Sequence, residues 1–133
     1  MGPPALKGAA RTLEEAEDLY AARQLDKAKE MFLAVLDQTE QKPPRASAYY
    51  GLARIAALEK DPATAERLFL RALDNEPEPQ VKAWCLVYLG RLAGLAQEFD
   101  KATRYFRDAL EIQGGSPKAL DAAREGLLQV SGK

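Results

Sequence analysis

At 133 residues the chain is long enough for one domain with its own core, and 47% hydrophobic with 29% charged residues marks a folded, soluble protein. A formal net charge of −1 argues against a general nucleic-acid binder, and no apolar run approaches the roughly eighteen residues that membrane insertion requires. Histidine is absent, which removes the commonest general base, the usual catalytic triads and most zinc sites, so the sequence points away from an enzyme and away from a metal or cofactor.

The chain opens with MGPPALKGAA, which lacks the basic and apolar segments of a signal peptide and so favours a cytoplasmic protein. Residues 1–8 are set aside as a disordered segment or cloning remnant. From residue 9 the sequence repeats itself. The blocks DKAKEMFLAVL (Asp26–Leu36), ATAERLFLRAL (Ala63–Leu73) and DKATRYFRDAL (Asp100–Leu110) align with a spacing of 37 residues. Ala28, Phe32, Val35 and Leu36 recur as Ala65, Phe69, Ala72 and Leu73, and again as Ala102, Phe106, Ala109 and Leu110. An alanine, an aromatic four later and an apolar pair three and four after that line one helix face.

A second helical pattern precedes each block at the same offset: Ala16, Ala53 and Gly90 align, as do Leu19, Ala56 and Ala93. Leu52 and Leu89 stand just before the small residue in the later units, where the first unit has Glu15. Each unit therefore predicts two helices joined by a short turn and held close by small residues, with boundaries 9–42, 43–78 and 79–115. Prolines 43, 44, 77 and 79 mark the joins. Gly114-Gly115-Ser116-Pro117 lacks the Lys-Ser/Thr of a phosphate loop and reads as a stop and restart, with Ser116 the N-cap and Pro117 the first helical residue. A final helix over 116–130 carries Ala119, Leu120, Ala123, Leu127 and Val130 on one side, the form of a terminal cap, and 131–133 are tail. The single Cys85 excludes an internal disulfide and reads as a packing thiol.

These residues resemble the tetratricopeptide repeat. Leu89-Gly90, Phe99, Ala102, Phe106 and Ala109 carry the pattern in the third unit, and Tyr49, Leu52-Ala53, Ala65, Phe69, Ala72 and Pro77 carry it in the second. The resemblance spans roughly residues 9 to 115. It implies an all-α fold: a right-handed superhelical stack of three helix-turn-helix repeats with a capping helix, an α-solenoid. The family's period is about 34 residues; the surplus here falls in QTEQKPPR and DNEPEPQV, where helix ends or loops can absorb it.

In such a stack the first helix of each unit lines a concave groove. Mapped by offset, Glu17, Arg54 and Arg91 share one inner position, and Leu13, Tyr50 and Val87 share a neighbouring one. Glu14, Gly51 and Tyr88 form a third row, and Tyr20, Ala57 and Gly94 a fourth; Trp84 falls toward the same side. The resemblance thus implies a peptide-binding groove of Leu13, Glu17, Tyr20, Tyr50, Arg54, Trp84, Val87, Tyr88 and Arg91, with Arg54 and Arg91 pointing into it together. Arginines beside aromatic surface suit a carboxylate-bearing segment. The family's carboxylate clamp for chaperone tails is missing, because Leu13 and Glu17 occupy its basic and asparagine positions. The expected function is a non-catalytic protein–protein interaction module that binds an extended peptide or helix. The alternative is a self-associating structural or docking domain of a larger protein, a homo-oligomer. The alanine-rich helices give the chain a bacterial cast.

Overall fold

A computed structural model describes the backbone of residues 4–133 and the side chains from residue 8 onward. The described residues form seven α-helices: α1 (Pro4–Ala21), α2 (Leu25–Gln38), α3 (Lys42–Leu58), α4 (Pro62–Asp74), α5 (Pro79–Leu95), α6 (Phe99–Leu110) and α7 (Pro117–Val130). Helix α1 thus begins inside the stretch set aside as disordered, with fully buried Ala9 anchoring its early turns. Residues 1–3 of that stretch lie outside the described residues. The fold is all-α, built of antiparallel helix pairs α1/α2, α3/α4 and α5/α6 followed by α7.

The repeat is written in the backbone as well as in the side chains. Arg23, Lys60 and Gln97, spaced by one repeat, all have φ near +62°. Around each, two hydrogen bonds close the helix end in the same way. Arg23 N donates to Tyr20 O and Gln24 N to Leu19 O; Lys60 N donates to Ala57 O and Asp61 N to Ala56 O; Gln97 N donates to Gly94 O and Glu98 N to Ala93 O. This is the Schellman closure, which glycine usually provides because a Cβ is disfavoured at positive φ. Three copies without glycine show that the hairpin packing holds the left-handed residue in place. The next helix then starts at once, with Ala28, Ala65 and Ala102 donating to Gln24, Asp61 and Glu98 carbonyls.

Between repeats, where helix ends or loops could absorb the surplus, QTEQKPPR is helical at Gln38 and from Lys42 onward, and DNEPEPQV at Asp74 and from Pro79 onward. Lys42, Pro43, Pro44 and Arg45 form the first turn of α3, and Pro79, Gln80 and Val81 that of α5, so both first helices reach 17 residues against 13 and 12 for α4 and α6. Helix ends have taken up the surplus. Proline suits this place because the first helical N–H has no intrahelical acceptor to lose. At the start of α7, Ser116 Oγ accepts from Ala119 N at 3.1 Å, the cap expected from the sequence.

The chain divides after Pro77 into two compact units. In the first, pair α3/α4 packs on pair α1/α2 through α2 against α3 and α1 against α3. Its core joins Ala9, Ala16, Ala28, Phe32, Val35, Ala48, Leu52 and Ile55. Phe32 projects from α2 onto the backbone of α3 at Gly51, where an added Cβ would lie 2.3 Å from the ring. Arg45 ties the same junction by donating to Leu36 O (2.7 Å) and Thr39 O (3.0 Å), the open carbonyls at the end of α2.

In the second unit α7 packs on both α6 and α5. Phe106 projects from α6 between Gly90 of α5 and Gly126 of α7; a Cβ on either glycine would approach its ring to 2.6 and 2.5 Å. Phe32 and Phe106 therefore do the same work: each seats its ring on a glycine of the following helix. Burying such a ring contributes about 2–3 kcal/mol. Phe69 is equally buried and tilts against Tyr50 at 6.1 Å between ring centroids.

Candidate functional site

The two glycine seats give a structural register between the units. Aligning Gly126 with Gly51 sets α7 against α3, so Gln129 takes the place of Arg54 and Glu125 that of Tyr50. By the repeat spacing, Arg91 takes the place of Glu17 and Gly94 that of Tyr20. The inner faces can then be compared residue by residue.

In the first unit the inner face is closed. Arg54 of α3 donates through Nη2 to Glu17 Oε1 of α1 at 2.7 Å, and its side chain is only 11% exposed. Its Cζ lies 4.2 Å from the Tyr20 ring centroid and 4.3 Å from that of Tyr50, so the guanidinium is held between two tyrosines with a carboxylate at its edge. Burial pushes the guanidinium pKa down, but the hydrogen bond and charge of Glu17 more than offset this and leave it above its ordinary value. Its Nε is buried without a hydrogen-bond partner. Leu13, one α1 turn from Glu17, packs half-buried against the core.

The expectation that Arg54 and Arg91 both point into a groove is thereby corrected for Arg54. The reason lies in the repeat itself: Glu17 occupies the equivalent position one repeat earlier, and stacking α1 on α3 brings that carboxylate alongside Arg54. Gly51, also expected on the inner row, is buried beneath Phe32.

On α5 of the second unit, Trp84, Tyr88 and Arg91 follow one another at i, i+4 and i+7 and share a face. The Trp84 and Tyr88 rings lie 6.1 Å apart at 46°, both half-buried. Arg91 is exposed, its Cζ 5.5 Å from the Tyr88 ring. No carboxylate pairs with it among the described residues. Val87 does not join this face. It is fully buried, because α5 buries Ala83, Cys85, Leu86, Val87, Leu89, Gly90 and Ala93 around most of its circumference and leaves little beyond the Trp84–Tyr88–Arg91 row. Cys85 is likewise fully buried.

Beside Arg91 the second unit is open. A cleft of about 560 Å³ runs between the end of α5 (Arg91, Gly94, Leu95), the start of α6 (Phe99) and the end of α7 (Gln129, Val130), with Phe106 and Gly90 at its floor. The opening follows from Gly94. A Cβ there would meet only Val130 Cγ1, at 3.7 Å, whereas the equivalent Tyr20 fills the first unit with its ring. Leu95, on the rim, is 83% exposed. Gly94 lay on an inner row of the sequence pattern, but Leu95, Gln129 and Val130 did not. Helix α7 reads as a plain cap, and the only hint of a second role is that a cap must lie beside α5 as α3 lies beside α1.

Among the described residues no three His, Cys, Asp or Glu side chains gather to hold a metal ion, and no helix is long and apolar enough to cross a membrane. The chain matches no protein-family model and no curated protein.

Proposed function

We propose that the protein is a non-catalytic interaction module of tetratricopeptide type that holds an extended peptide or a helix of a partner protein on the inner face of its first helices. The open cleft beside exposed Arg91 carries this reading: it offers apolar depth next to a cation, in a size range of roughly 300–1,000 Å³ common for binding pockets. The thrice-repeated Schellman turn supports the repeat assignment, since an unrelated helical bundle has no reason to keep one turn geometry at a fixed spacing. Selection of phage-displayed peptides on the immobilised protein tests the reading. Enriched sequences whose capture is lost on Arg91→Glu support it; a selection that enriches nothing over a blank surface rejects it. Arg54→Glu is unsuitable as a probe, because it would place a second carboxylate beside Glu17 in a buried site.

Self-association is the second reading, favoured by Leu128 and Leu95, which stand 77% and 83% exposed on the second unit. Light scattering decides it: a stable dimer at micromolar concentration would replace the peptide-binding reading.

A further inference from the structure

We infer that the cleft of the second unit is the ligand seat itself, and that its occupant is an acidic peptide segment presenting a large apolar side chain beside a carboxylate. This rests on the interaction-module reading and names the chemistry of its ligand. The first unit shows what the second lacks. There, the junction of α1 and α3 is complete within the chain: Tyr20 supplies an aromatic ring, and the Glu17–Arg54 pair supplies opposite charges. At the corresponding junction of α5 and α7, Gly94 supplies no ring, and Arg91 and neutral Gln129 line one cleft in place of an opposite-charge pair. A partner that fills the vacancy must bring both missing groups.

The walls agree with that chemistry. Phe99, Phe106, Leu95 and Val130 give the cleft an apolar lining. Its charged side chains are Arg91 and Lys133, and neither is acidic, so a basic segment would find no side-chain counter-charge while an acidic one would find the Arg91 guanidinium. Tyr88 backs the Arg91 guanidinium as Tyr20 and Tyr50 back Arg54, leaving its fork free for bidentate contact with a carboxylate. The exposure of Leu95 at the rim is explained as well, since an apolar side chain entering beside Gly94 would cover it.

The test is an NMR titration of the 15N-labelled chain with three blocked tetrapeptides: acetyl-Glu-Phe-Leu-Glu-amide, acetyl-Lys-Phe-Leu-Lys-amide and acetyl-Glu-Ala-Ala-Glu-amide. The first is expected to give saturating amide shifts at Gly90, Gly94, Gln129 and Val130, and the other two to bind about tenfold more weakly. Gly94→Tyr, which transplants the Tyr20 ring of the first unit, should reduce binding by at least about tenfold while circular dichroism stays helical. Should that variant lose helicity, Arg91→Glu serves in its place and should reverse the preference between the glutamate and lysine peptides. Saturating shifts confined to α1 and α3 would overturn the cleft assignment but leave the interaction-module reading standing. Equal binding of the glutamate and lysine peptides, or undiminished binding by a folded Gly94→Tyr, would overturn the proposed chemistry. No saturable shifts with any of the three would overturn this inference alone, the phage selection deciding the broader reading separately.

Discussion

The inner faces of the two units start from one helical plan and end in opposite states. In the first, Tyr20, Glu17, Tyr50 and Arg54 close on each other, and the arginine becomes part of the packing. In the second, Gly94 and Gln129 stand at the positions of Tyr20 and Arg54, and the same junction stays open with Arg91 exposed. The contrast shows that an arginine at a repeated inner position is not thereby a binding residue. Whether it is free depends on what the neighbouring helix places opposite it.

Below the inner face the two units agree, and the largest predicted effects test that agreement. Phe32→Ala and Phe106→Ala should each cost about 3–5 kcal/mol in urea unfolding, because each removes a fully packed ring from its glycine seat. A loss below about 1 kcal/mol at one of them would break the equivalence of the two seats. Filling the seats should also destabilise: Gly51→Ala drives a Cβ into the fully buried Phe32 ring, at about 1–3 kcal/mol, and Gly126→Ala should cost less, because the Phe106 ring can shift toward the cleft whose floor it forms.

The arginines sharpen the comparison. Arg54→Ala should lose about 2 kcal/mol, from two ring contacts and a short ion pair in a mostly buried site. Arg91→Ala should stay within about 0.5 kcal/mol, as an exposed side chain without an ion partner. Equal losses would mean that the two positions share one environment after all. At the open site, Gly94→Ala should gain about 1 kcal/mol, since the position is helical and a methyl group fits in front of Val130. The last variant concerns the shared turn. Lys60→Gly relieves a positive φ that a lysine adopts at a cost and should raise the unfolding free energy by at most about 1 kcal/mol, read in urea unfolding.

Most of the framework was legible in the residues. The spacing of Phe32, Phe69 and Phe106 marks three buried rings in advance, and the two described seats show why small residues accompany them. Ser116 and the prolines announce helix starts, because caps depend on a few neighbouring residues. The extent of α3 and α5 was harder to see, since proline reads equally as the end of a loop and as the first turn of a helix. The site was legible by row and not by exposure. Glu17, Tyr20, Tyr50 and Arg54 do converge, as do Trp84, Tyr88 and Arg91, yet Val87 and Gly51 on neighbouring rows are buried.

What the amino-acid order determined by itself is the period: two helices, a fixed turn and one aromatic per unit, repeated because local propensity and i, i+4 spacing act within a few residues of chain. Only the tertiary packing decided which inner arginine is captured and which is left to solvent. Glu17 and Arg54 are 37 residues apart, and their meeting, like the space in front of Gly94, arises when separate helices are laid side by side.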